Sequence, residues 1–176
     1  MQTGDLATLS RMLEREAIDY ALIGGHAVNA WLEPRFTGDV DIVVAAGSDD
    51  FDRLKQILAD QGFAVTREHG AEQPSGPDFV RFESASSPLI IEVQAAKTRL
   101  QSETIRRAAP GSTGARIATV EDLIVMELIA DRRKDQVDLV GLAALPEIDW
   151  AYVEHWADEW QISDRLKRIR DETAKG

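Results

Sequence analysis

The sequence contains no cysteine, which excludes disulfides, thiolate nucleophiles and sulfur-ligated zinc. Its three histidines, His26, His69 and His155, are scattered and form no pair at helical metal-ligand spacing, so no zinc site is read from them. Long apolar runs are also missing. No stretch approaches the roughly 18 residues that a membrane span needs, and Met1 to Arg15 alternates charged and apolar positions instead of forming a signal-like block. The expectation is a cytoplasmic protein that does not engage a membrane. Positive charge is in deficit as well: 20 Lys and Arg stand against 31 Asp and Glu, a net charge of −11. Nonspecific nucleic-acid binding depends on cations neutralising phosphates, so it is not expected to be the main activity. The deficit is uneven, with 7 basic and 16 acidic residues in 1–96 but 13 and 15 in 97–176. The second part could therefore present a local basic face, with Arg99, Arg106, Arg107 and Arg116, then Arg132, Arg133 and Lys134, then Arg165, Lys167, Arg168 and Arg170 as candidates. The plainer reading is that these are solvated helix faces paired with nearby acids.

What is present is the patterning of an ordinary globular chain, 44% hydrophobic over 176 residues and long enough for one substantial core. Leu6, Leu9, Met12 and Leu13 lie at helical spacing in 5–16, and a short strand is expected over 20–23. Gly24 and Gly25 break it, and a second helix is predicted from His26 to Leu32, stopped by Pro34. Strands are expected around Asp39 to Val44, at 63–66, 79–83 and 89–94, with an amphipathic helix over 49–61 between the first two. The stretch 67–78, rich in Gly, Pro and charge, reads as an exposed loop. From Lys97 onward the pattern turns helical: Thr119 is a plausible N-cap for 120–130, followed by helices near 135–144, 149–160 and 163–173. Val153, Trp156 and Trp160 recur at i, i+3 and i+7 and are expected to form a core stripe. The fold class is thus α/β of the α+β kind, a mixed β-sheet flanked by helices with a C-terminal helical region. A division into 1–96 and 97–176, with the second part packed on the first, is expected.

One segment carries chemistry. Asp39 and Asp41 open the apolar run Val40, Ile42, Val43, Val44, and residues i and i+2 of a strand point to the same face. Two carboxylates that close repel each other unless a hard divalent cation sits between them, and Mg2+ takes oxygen ligands that it often shares with phosphates. Gly24 and Gly25 let the backbone approach a phosphate closely at the start of a helix.

Ile23-Gly24-Gly25, thirteen intervening residues, then Asp39-Val40-Asp41-Ile42 resembles the signature of the nucleotidyltransferase superfamily, the group of DNA polymerase beta-like minimal transferases. Arg35-x-Thr37-x-Asp39-x-Asp41, followed late in the chain by Arg133-Lys134-Asp135-x-x-Asp138, is similar to AbiEii-type and MenT-like toxins of type IV toxin–antitoxin systems. The resemblance implies a nucleotidyltransferase-like fold with a catalytic core in 1–96. It implies Asp39, Asp41 and a third acid, Glu92, as catalytic residues and ligands of Mg2+ or Mn2+. Gly24, Gly25, His26, Arg35, Thr37 and Lys134 are implied to bind the nucleotide. Glu92 departs from the more usual Asp, and Glu127 stands where related toxins commonly carry a lysine. Glu92 is nevertheless the expected third acid because a carboxylate inside so apolar a strand is costly unless paired or metal-bound; Glu83 is its competitor, although Ser84 and Ser86 place it at a strand end on the surface.

The activity implied is transfer of a nucleoside monophosphate from an NTP to a hydroxyl, with RNA, notably a tRNA 3′ end, as the first-choice acceptor and an antitoxin protein as partner. A small cationic acceptor, as for aminoglycoside nucleotidyltransferases, is the second reading, because acidic pockets suit amines. A catalytically degenerate module that only binds NTP or a partner is the third.

Overall fold

The computed structural model describes residues 3–132 and 136–173. These form a seven-stranded mixed sheet whose strands lie in the order 64–69, 79–84, 87–95, 39–44, 20–23, 116–117 and 109–110, surrounded by helices. In chain order the elements are α1 (Thr3–Arg15), β1 (Tyr20–Ile23), α2 (Gly24–Val28), β2 (Asp39–Val44), α3 (Ser48–Asp60), β3 (Ala64–His69), β4 (Phe79–Ser84) and β5 (Ser87–Ala95). There follow α4 (Arg99–Arg107), the two-residue strands β6 (Ala109–Pro110) and β7 (Arg116–Ile117), then α5 (Val120–Ala130), α6 (Gln136–Ala143), α7 (Trp150–Glu159) and α8 (Ser163–Thr173).

The central strands follow from their alternation. On β2, Val40 and Ile42 are buried while Asp39 and Asp41 are half-buried on the other face; on β5, Leu89, Ile91 and Val93 are buried while Glu92 and Gln94 alternate with them. The apolar face is covered by α1 and α3, whose Leu9, Met12 and Leu58 lie beside Leu89 and Ile91. Burying each such aliphatic side chain contributes about 1.5–3 kcal/mol, and the two helices supply that cover because Leu9, Leu13, Phe51, Leu54 and Leu58 recur at helical spacing.

β2 pairs parallel with β5 and antiparallel with β1, and Asp41 is in register with Glu92 on one side and with Ile23 on the other. The two acids and Glu92 therefore share one face of the sheet, next to the point where β1 ends at Gly24.

Past residue 96 the sheet continues, because β7 adds parallel to β1 through Leu22 and Ile117, and β6 pairs with β7. The two short strands are not expected from the sequence, and α4 falls in the stretch from Lys97 that reads as helical without being given bounds of its own. Two-residue strands leave no periodicity to detect, and α4 is a nine-residue helix with only Leu100, Thr104 and Ile105 buried. Its start is fixed by a capping box in which Thr98 Oγ1 accepts from Gln101 N at 3.2 Å and the Gln101 side chain reaches back to Thr98 N at 3.0 Å.

α5 is apolar on nearly all sides, with Leu123, Ile124, Val125 and Leu128 buried, because it packs against α2, α6 and α7 at once. A buried polar network joins it to its neighbours. Asp122 accepts from Thr119 Oγ1 at 2.7 Å, Tyr152 OH at 2.5 Å and Arg107 Nε at 3.3 Å, and the Arg107 guanidinium stacks 3.9 Å from the Tyr152 ring centre. Burial, reinforced by the bond to Asp122, pushes the Tyr152 phenol well above its ordinary pKa. Arg165 Nη1 donates to the carbonyls of Leu128 and Ile129 at 2.8 and 3.1 Å, satisfying the end of α5 from α8. These bonds hold the helices as one wall facing the polar side of β2 and β5.

Candidate active site

A cleft of about 700 Å³ lies between the polar face of the sheet and this helical wall. Asp39, Asp41 and Glu92 line it from the sheet, with Gly24, Gly25, Arg35 and Thr37 beside them, and Leu100, Leu123, Met126, Glu127 and Trp160 line it from the helices.

The two glycines make room for the acids. Gly24 adopts the left-handed conformation at φ +61°, and a Cβ there would stand 2.3 Å from Asp41 Oδ2. A Cβ on Gly25 would stand 2.6 Å from Thr37 Oγ1. Helix α2 begins at Gly24 itself and ends at Val28, earlier than the stretch to Leu32 read from the sequence. At five residues its dipole contributes little, so what the glycine pair supplies is space for the Asp41 carboxylate and the Thr37 hydroxyl. The chain after α2 is closed by Asn29, whose Nδ2 donates to Arg35 O at 2.7 Å while its Oδ1 accepts from Arg35 N at 3.0 Å. That two-point clasp carries the loop to Arg35, and the sequence reading did not single out Asn29. The signal available was an Asn just past a short helix, a residue whose amide bonds readily to nearby backbone.

Arg35 reaches across the cleft to α6. Its Nε donates to Asp138 Oδ1 at 2.9 Å and its Nη2 to Asp138 Oδ2, a bidentate pair between a side chain 46% exposed and a carboxylate only 6% exposed. Thr37 lies against Gly25, with its Oγ1 3.5 Å from the Asp39 carbonyl. Glu92 is held by Arg81 of the neighbouring strand, whose Nη1 donates to Glu92 Oε1 at 2.7 Å while its Nε donates to Glu83 Oε1 at 2.7 Å. The bond from Arg81 holds the Glu83 carboxyl below its ordinary pKa.

His26 lines an adjoining groove with Leu6, Asn29, Phe36 and Thr113, which shares Arg35 and Thr37 with the cleft. Burial lowers its imidazole pKa, although the Asp39 charge opposes the shift. Lys134 lies outside the described residues, as do Arg133 and Asp135. Lys97 pins the 70–78 loop through Asp78 Oδ1 at 2.7 Å and Gly76 O at 2.6 Å. That bond holds the Asp78 carboxyl below its ordinary pKa.

Among the described residues no three acidic or histidine side chains gather as a ready-made metal cage. The donor set is the same-face pair Asp39 and Asp41, with Glu92 one strand away and turned to Arg81. Carboxylate oxygens in a polar cleft suit a hard divalent cation, and the space left by Gly24 at Asp41 Oδ2 keeps that carboxylate beside the strand exit.

Trp160 departs from expectation. Trp156 is 4% exposed and Val153 is fully buried, yet Trp160, which the spacing put in the same stripe, is 39% exposed and lines the cleft. It caps α7, and Gln161, in the left-handed region at φ 57°, turns the chain into α8 directly after it.

Arginines of the second part's basic clusters are engaged within the chain: Arg99 with Glu159, Arg106 with Glu103, Arg107 with Glu121 and Asp122, Arg165 and Arg168 with Asp131, and Arg170 with Glu154. Arg116 Nη2 donates to the Ile105 carbonyl at 3.0 Å. No helix among the described residues is long and apolar enough to cross a membrane.

Residues 7–144 match the family described as nucleotidyl transferase AbiEii toxin, type IV TA system, and the chain belongs to that family; it is an enzyme of the nucleotidyltransferase class. Solved structures share the fold at low identity. An antigenic nucleotidyltransferase-like protein from Paracoccidioides brasiliensis aligns at a TM-score of 0.56 and 15% identity, over 94% of this chain and 91% of its own. ANT(2")-Ia in complex with adenylyl-2"-tobramycin aligns at 0.56 and 14%, over 97% and 98%. The lincosamide antibiotic adenylyltransferase LnuA, lincomycin-bound, aligns at 0.56 and 13%, over 81% and 97%. No curated protein matches the sequence.

Proposed function

We propose that the protein moves a nucleoside monophosphate from an NTP to a hydroxyl acceptor, with a divalent cation, Mg2+ or Mn2+, held by Asp39 and Asp41. The observation that carries this reading is the placement of both carboxylates on one sheet face at the wall of the cleft, with Asp41 against Gly24. The acceptor oxygen attacks the α-phosphorus, the bond from that phosphorus to the bridging oxygen breaks, and pyrophosphate leaves. Asp39 and Asp41 would hold the cation, which when bound would supply charge neutralisation on the leaving phosphates and lower the pKa of the attacking hydroxyl. The chain itself positions. Asp39 and Asp41 fix the donor oxygens, Thr37 and the Gly25 backbone border the phosphate side, and Arg35, oriented by Asp138, presents its guanidinium from the cleft rim. Lys134 is a further nucleotide ligand in this reading. Glu92, one strand away on β5 and bonded by Arg81, is assigned to the acceptor side, where it completes the metal site or takes the proton of the attacking hydroxyl.

The acceptor follows the family: RNA, with a tRNA 3′ end first, and an antitoxin as protein partner. The internal pairing of the arginine clusters and the five acids that line the cleft, Asp39, Asp41, Glu92, Glu127 and Asp138, support a second reading, a small amine-bearing acceptor.

A panel of the four labelled NTPs against total RNA and against aminoglycosides separates the two. Transfer to RNA is expected to weaken steeply between about 50 and 200 mM salt, whereas transfer to a small acceptor should change little. Mg2+ with NTP should also raise the melting temperature of the wild type but not of Asp41→Ala, since only a native-state binder stabilises the fold. Absence of any shift with all four NTPs would remove the reading.

A further inference from the structure

The cleft has two chemically different sides. The sheet side carries Asp39, Asp41, Thr37 and the glycines; the helical side presents a strip of α5, Met126, Ile129 and Ala130 at i, i+3 and i+4, backed by the buried Leu100 and Leu123, with the largely buried Glu127 among them and Trp160 beside them. α7 has already buried Val153 and Trp156, so the helix did not lack a core for its next aromatic. Trp160 instead ends α7 with part of its indole in the cleft, and α7 packs on α5, which sets the ring beside the α5 strip. The strip begins next to the phosphate side, because α5 also packs against α2.

We infer that Trp160 and the α5 strip form the subsite for the nucleobase of the incoming NTP, with the base resting on the indole while the triphosphate lies along the sheet side. This rests on the nucleotidyl-transfer reading and adds to it the residue that grips the ring. Indole is suited to the task, since it offers a large flat surface at little cost in conformational freedom and every base has a π-face to stack on it. A subsite built mainly on stacking grips purines more strongly than pyrimidines, so ATP and GTP should bind more tightly than CTP and UTP.

The test compares a non-hydrolysable ATP analogue with inorganic tripolyphosphate, which has the anionic part and no ring. Binding is measured by calorimetry in Mg2+ with the full chain. Wild type should bind the analogue about tenfold or more tightly than tripolyphosphate, in line with the stacking of one base. Trp160→Ala should bring the two affinities together without changing the tripolyphosphate value. Trp160→Tyr should keep the preference and Trp160→Leu, apolar but without a ring plane, should lose it; this pair decides the matter if the alanine variant fails to fold. An unchanged preference in the alanine and leucine variants overturns the inference while leaving the phosphate site intact. A tryptophan effect seen only with a nucleoside acceptor also overturns it, by giving the ring to the other substrate. Failure of both ligands to bind wild type would overturn the underlying reading as well.

Discussion

The two walls of the cleft differ in how they are made. The sheet wall is local: Gly24 and Gly25 close one strand, Asp39 and Asp41 open the next, and antiparallel pairing of β1 with β2 brings Ile23 beside Asp41. The helical wall is assembled from afar, with Leu100 from α4, Met126 from α5, Asp138 and Val137 from α6 and Trp160 from α7, held in place by Arg107, Asp122 and Tyr152. Charge and space make the first wall; shape and apolar surface, with Glu127 and Asp138 set among them, make the second. Chemistry should therefore be lost through the sheet wall and stability or selectivity through the helical wall, and that contrast can be broken at several points.

The largest effect is expected at Asp39 and Asp41. Replacing either by alanine should lower transfer by roughly a thousandfold or more, as loss of several kcal/mol of charge stabilisation requires, while the melting temperature stays near that of wild type. Next comes Gly24→Ala. The left-handed φ and the 2.3 Å approach to Asp41 Oδ2 require the strand exit or the carboxylate to shift, so activity should fall towards that of the Asp41 variant, and urea unfolding should show a loss of about 1–3 kcal/mol.

Arg35→Ala tests the bridge between the walls. It strands the largely buried Asp138 carboxylate, but because Arg35 is itself 46% exposed the destabilisation should be about 1–2 kcal/mol, below that of a fully buried pair. NTP affinity should fall as well, and an affinity unchanged from wild type would limit Arg35 to a structural clasp. Arg81→Met should change stability by less than about 1 kcal/mol and show, through the metal dependence of transfer, whether releasing Glu92 alters the site.

The smallest effect concerns pH. His26 is neutral in the folded chain over a wider range than in the unfolded chain, because burial depresses its pKa below 6.5. The unfolded chain then binds the proton first, and stability should decline as pH falls below about 6.5 until the folded imidazole titrates too. His26→Asn should flatten that part of the urea-unfolding profile.

The same contrast explains what could be read from the sequence. The sheet wall was legible because its residues are close together and carry a strand's alternation: Asp39 and Asp41 against Val40 and Ile42, with Glu92 inside Ile91 and Val93. The three-strand run and most of the helices followed from apolar periodicity. The terminal sheet strands 109–110 and 116–117 did not, since two residues have no period, and β3 runs on to His69 through polar residues read as loop. Burial of Trp160 was inferred from spacing alone, but spacing gives the helix face and not what the face meets, and one turn beyond Trp156 the face meets a cleft. The partners of Arg35 and Glu92 were equally out of reach, because Asp138 lies 103 residues from Arg35 and Arg81 meets Glu92 only through the pairing of β4 with β5.

The central claim is that the sheet wall performs nucleotidyl transfer. It is tested most directly by incubating wild type and Asp39→Ala with each α-labelled NTP, Mg2+, total RNA and an aminoglycoside mixture, and following label in the acceptor together with pyrophosphate release. The account predicts Mg2+-dependent label and stoichiometric pyrophosphate from wild type and neither from the variant. Equal transfer by both proteins, or none by wild type with any NTP, would contradict it.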